Sequence, residues 1–149
     1  MVANEAGEEN QYDRSSFRSL ISGAKKAFEE GFDIGILPEG QLNPYPEKGL
    51  LPIFGGAYTL ARMSKRPIQM MALHGVHRLW HPIHGMEPTS RAVKVRMYPN
   101  GRAYQDPNEF EGCFTTVVGQ FGQSGTDVEN LDGWLTGDAY KEQSRQEPT

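Results

Sequence analysis

The tightest constraint on the fold is a helical pattern that stops on a glycine and hands over at once to a short apolar run. Apolar residues fall at Phe17, Leu20, Ile21, Ala24, Ala27 and Phe28, the 3.6-residue spacing of an amphipathic helix. Ser15 or Ser16 can cap its start through a hydroxyl, and Gly31 stands where a left-handed residue ends a helix. Lys25, Lys26, Glu29 and Glu30 take the remaining face. Phe32-Asp33-Ile34-Gly35-Ile36-Leu37 follows directly, and its length predicts a buried strand rather than a helix.

The same rhythm continues. Pro38-Glu39-Gly40 ends the run, and a loop with Pro44, Pro46 and Gly49 follows. Leu51 to Met63 predicts a second helix, with Pro52 in its first turn and Gly55-Gly56 open to close approach by another backbone. Pro67 to Leu73 predicts a second buried strand. Ala92 to Tyr98 predicts a third, with Val93, Val95 and Met97 on one face and Lys94 and Arg96 on the other. Asn108 to Gln120 predicts a last helix diluted by Gly112 and two threonines, and Phe121 to Gly125 predicts a flexible linker. Helices alternating with short strands point to an α/β sheet with crossover helices.

Composition narrows the function. The chain has 149 residues, 37% hydrophobic and 23% charged, which fits one globular domain. Residues 1–11 carry Glu5, Glu8 and Glu9 without a basic residue, and residues 136–149 are almost wholly polar. Both predict disordered tails around a folded body at 12–135. A net charge of -4 argues against a dedicated nucleic-acid binder. No apolar run approaches the length of a membrane span, and the acidic start lacks the apolar stretch of a leader peptide. A cytoplasmic or peripheral-membrane protein is the expectation. The single cysteine, Cys113, excludes an internal disulfide and a cysteine-based zinc site; a buried small hydrophobe is its expected role. Trp80 and Trp134 are open between packing and lipid contact.

Two stretches carry candidate chemistry. His74, His77, His81 and His84 are spaced three, four and three apart. On one helix they would share a face and could hold a metal, but Gly75, Pro82 and Gly85 interrupt the segment and favour a loop of hydrogen-bonding imidazoles, with no metal. The stronger feature is Leu37-Pro38-Glu39-Gly40-Gln41-Leu42-Asn43, just past the first expected strand. Ligands in α/β sheets sit outside the carboxyl ends of strands, and Gly40 could turn a backbone N–H toward one. The alternative is a tight turn with a solvated glutamate.

With its surroundings, this stretch resembles the glycerolipid acyltransferase family typified by the bacterial lysophosphatidate acyltransferase PlsC. There an amphipathic helix and an apolar strand lead into a Phe-Pro-Glu-Gly-Thr-Arg-Ser signature. Ile53-Phe54-Gly55-Gly56-Ala57 is similar to the family's next motif, and Pro67 to Leu73 to its later proline-isoleucine strand. Tyr12-Asp13-Arg14 is similar to the end of an earlier motif, so the order agrees across residues 12–98. The resemblance implies an α/β acyltransferase-like sheet lacking the N-terminal part of the family domain. It implies acyl transfer from acyl-CoA or acyl-ACP, as co-substrate rather than cofactor, to a hydroxyl of a lysophospholipid or glycerol phosphate. Pro38, Glu39, Gly40 and Gln41 would line the acceptor pocket, and Arg14 would meet a phosphate. The family's base is the histidine of a His-x-x-x-x-Asp pair. Here the residues five places after the four histidines are Leu79, Pro82, Met86 and Thr89, so no catalytic residue is assigned. Leu42 and Gln41 stand at the signature's arginine and threonine, and Phe54 at a common lysine. A longer enzyme whose base lies upstream of Met1 is one expectation. A non-catalytic lipid- or partner-binding module is the alternative.

Overall fold

The structure, a computed structural model, describes the backbone of residues 14–86 and 92–146, with side chains from residue 18 onward. The chain divides into two compact units, 1–36 and 37–149. In the first, α1 spans Arg14–Glu29, as the spacing predicts, and Ile21 and Ala24 are its buried positions. Gly31, at φ +86, ends it, and the Phe32 N–H returns to the Ala27 carbonyl at 2.9 Å. Residues 1–11 lie outside the described residues.

The expected strand at 32–37 does not form. Phe32 and Leu37 are 63% and 85% exposed, and the described strands pair only with one another. An apolar run becomes a strand only where a neighbour takes its backbone hydrogen bonds, and among the described residues no strand does so.

The second unit is built around one long helix and one ribbon. α2 spans Gly56–Ser64, β1 Met71–His74, β2 Trp80–His81, β3 Gly85–Met86, β4 Lys94–Met97, α3 Pro107–Ser124, α4 Leu131–Thr136 and α5 Asp138–Gln146. β1 pairs antiparallel with β4, placing Met71 opposite Met97 and Leu73 opposite Val95; β2 and β3 form a short antiparallel hairpin. Helices and strands are thus mixed, compatible with an α/β class, but among the described residues both sheets have two antiparallel strands and no helix crosses between parallel ones.

The expected alternation of β4 holds, and the covered face is the one that bears Arg96. Tyr98 is buried against Val117, Val118 and Phe121 of α3, together with Met70 and Ala72. On that side Arg96 pairs with Asp127 at 3.0 Å, and the Tyr98 hydroxyl donates to the same carboxylate at 3.2 Å. Val95, Met97, Met71 and Leu73 point outward and are exposed. Charged termini can line a covered face when their stems pack and their heads find partners, which is why the valines did not win it.

α3 is the best-specified element, not a weak one. Asp106 caps it by accepting the Glu109 N–H at 2.9 Å, and Pro107 occupies the first turn. It runs through the stretch expected as a linker and stops at Gly125, φ +70. Below it, Ala57, Tyr58, Tyr104, Phe110 and Cys113 form a second cluster, with Trp134 and Tyr140 packed against it. Burying side chains of this size is worth about 1.5–3 kcal/mol each. The expected disordered tail at 136–149 is instead helical as far as Gln146. Ala139 is buried and the Tyr140 ring lies so close to Gly112 that a Cβ there would meet it at 2.6 Å; one small and one aromatic residue anchor an otherwise polar helix.

Candidate functional site

The Pro38–Gly40 turn closes on itself. Gly40 has φ +66, a conformation glycine adopts without the steric cost other residues meet, and its N–H donates to the Leu37 carbonyl at 3.0 Å. That N–H is therefore not free to face a ligand, as the sequence suggested. Nor does the turn lie at the end of a strand, so the sheet-edge argument does not apply to it.

Glu39 is the hub of the loop. Its Oε2 accepts the Leu51 N–H at 2.7 Å and the Asn43 side-chain amide at 3.2 Å. Asn43 in turn donates to the Gly49 carbonyl at 2.7 Å and accepts the Tyr45 N–H at 2.9 Å. A charged acceptor makes the stronger kind of hydrogen bond, so one carboxylate ties residues 39, 43 and 51 together. The Phe54 N–H meets the Pro38 carbonyl at 2.9 Å, and the Phe54 ring covers Gly40, 2.9 Å from where a Cβ would sit. These bonds also hold residues 51–54 out of the expected helix: α2 begins at Gly56, five residues later than expected. Gly55 and Gly56 have nothing within 4 Å of a Cβ position, so the close backbone approach expected there is not made.

Of the residues assigned to acceptor binding, Pro38, Glu39 and Gly40 form this turn, and Gln41 is exposed beside it. Arg14 opens α1 in the other unit, and its side chain lies outside the described residues. From Gly31 to Glu47 there is no lysine or arginine. Lys48 sits over the Tyr45 ring at 4.4 Å.

The histidines do not share a helix face. His74 ends β1, buried, with Nδ1 2.8 Å from the Gly122 carbonyl. His77 lies in a single 3-10 turn at Val76–Arg78, where burial first and the Arg78 charge second lower its pKa from the ordinary 6.5. His81, in β2, faces Glu47 Oε2 through Nε2 at 3.3 Å and stacks on His84 with centroids 4.5 Å apart. Among the described residues, no three His, Cys, Asp or Glu side chains are grouped to hold a metal ion, and no helix is long and apolar enough to cross a membrane.

A buried ion pair escaped the sequence reading altogether. Arg102 Nη1 donates to Glu109 Oε1 at 2.9 Å, and Glu109, only 2% exposed, also accepts the Gln105 N–H at 2.6 Å. Arg102 lies over the Tyr104 ring at 3.9 Å, and its Nη2 reaches the Cys113 sulfur at 3.4 Å. The Asp106-Pro107-Asn108-Glu109 spacing of a capping box would have located Glu109; nothing local points to Arg102. The group is packed within the core and serves as a structural lock. Asn43-Pro44, a turn-initiating pair, was the available signal for Asn43.

Comparison with protein-family models, curated proteins and solved structures finds no match to this chain.

Proposed function

We propose that the chain belongs to an acyltransferase of the PlsC type and that the Pro38–Gln41 loop is its acceptor-binding element. The reaction is transfer of an acyl group from acyl-CoA or acyl-ACP to the hydroxyl of a lysophospholipid or glycerol phosphate. One observation carries this reading: the two sequence stretches on which the resemblance rests are bonded to each other. Phe54 donates to Pro38, Leu51 donates to Glu39, and the Phe54 ring roofs Gly40. The signature and the following motif make one local unit.

No histidine in the sequence precedes an aspartate by five positions, so the 149-residue chain supplies binding and not the base. Loss of a general base costs typically 10²–10⁴-fold. Purified chain incubated with acyl-CoA and lysophosphatidate should release free thiol at the background rate, yet bind lysophosphatidate as read by calorimetry. Glu39→Ala, which removes the bonds to Leu51 and Asn43, should weaken binding of lysophosphatidate and of the uncharged monoacylglycerol alike. Failure to bind either lipid would refute the reading; turnover lost on His→Ala substitution would show that a base is present after all.

A non-catalytic binding module is the second reading. It is favoured by the engagement of two imidazoles within the fold: His74 is held by the Gly122 carbonyl and His81 by Glu47.

A further inference from the structure

His81 makes three hydrogen bonds that are compatible with only one protonation state. Its Nδ1 accepts the Ile83 N–H at 3.1 Å and the His84 N–H at 3.3 Å. A ring nitrogen that accepts carries no proton, so the proton of the neutral ring is on Nε2. There it points at Glu47 Oε2, 3.3 Å away. The His81 side chain is 13% exposed, and its two amide partners make the turn that joins β2 to β3.

We propose that the Trp80–Met86 hairpin is a proton-operated turn, closed by neutral His81 and released when the imidazole takes a second proton. The proton from solvent adds to the Nδ1 lone pair. Nδ1 then becomes a donor facing two donors, and both turn bonds are lost. Nε2–H stays on Glu47, where the hydrogen bond becomes charge-assisted and stronger. Acid therefore frees the hairpin while tightening the hold on the 3-10 turn Pro46–Lys48, the segment that follows Asn43 in the Glu39 loop. Among the described residues the pairs across the hairpin are Trp80–Met86 and His81–Gly85, and so short a ribbon depends on its turn.

Charged and titratable groups face the ring from several elements. Glu47, from the Pro46–Lys48 turn, favours the imidazolium. His84 stacks on the ring from within the hairpin, and His77, from the Val76–Arg78 turn, acts on His81 electrostatically; when protonated, both oppose it. Arg78 and His74 act on His77, and Lys48 acts on Glu47. Burial and the Arg78 charge lower the pKa of His77 itself. The sign follows: the turn is intact above the imidazole range and is lost as pH falls through it.

The test is a pH titration from 8 to 5 of the whole chain, following imidazole nitrogens and backbone amides by NMR. The expected result is that the His81 Nδ1 signal moves from unprotonated to protonated while the Ile83 and His84 amides lose protection with the same midpoint, and α3 amides stay protected. His81→Asn keeps an acceptor near the Nδ1 position and cannot titrate, so those amides should stay protected throughout. Amides that remain protected once His81 is charged would overturn the proposal, as would an unchanged pH response in His81→Asn. If that variant does not fold, the wild-type titration alone decides, because the two midpoints either coincide or do not.

Discussion

Gly40 shows how one residue fixes the candidate site. Its positive φ and the Phe54 ring over it leave no room for a side chain. Gly40→Ala should cost about 1–2 kcal/mol for the left-handed backbone alone, more once the ring is displaced, read as a lower urea midpoint. Gly35→Ala, where nothing lies within 4 Å, should stay within about 0.5 kcal/mol of the parent. The turn itself was legible, since Pro-Glu-Gly encodes it over three residues. The role of Glu39 was not. Its key partner is the amide of Leu51, twelve positions on, and no local pattern announces which distant N–H a carboxylate will reach. Arg102 was hidden for the same reason, its partner Glu109 lying seven positions on and joined through a buried space.

Elements were readable where their pattern is self-sufficient. α1 carries its own apolar stripe and glycine stop and lies where the spacing places it; α3 has its own cap but runs on to Ser124, past the expected end at Gln120. The run at 32–37 had the composition of a strand but depended on a partner for its backbone groups. α5 failed in the opposite sense: its sequence is polar enough to look disordered, and what orders it is Tyr140 seated on α3. Gly112, which lowers helix propensity by about 1 kcal/mol, is the seat that makes this possible. Gly112→Ala therefore sets a propensity gain against a steric loss. The global midpoint should change little, while hydrogen exchange across 138–146 should quicken as the ring is pushed off; unchanged exchange in α5 would show that Tyr140 does not anchor it.

At the scale of the molecule, the second unit covers only one face of its main ribbon. α3 takes the side bearing Ala72 and Tyr98, and Met71, Leu73, Val95 and Met97 are left exposed. The sequence predicted which residues share a face but not which face would be covered. That choice is made by Asp127, which receives both Arg96 and Tyr98 from a loop thirty residues away in sequence.

Cys113, 0% exposed in the middle of α3, gives the chain a built-in clock. Burial raises its thiol pKa, with the Arg102 charge opposing, so an aromatic disulfide reagent cannot reach a thiolate until the core opens. The labelling rate then counts openings of the second unit, and no engineered probe is required. Phe110→Ala, which should cost about 3–5 kcal/mol, should speed labelling by about a hundredfold or more, since each 1.4 kcal/mol is tenfold. Labelling of the parent at the rate of a free thiol would mean that the core breathes on its own.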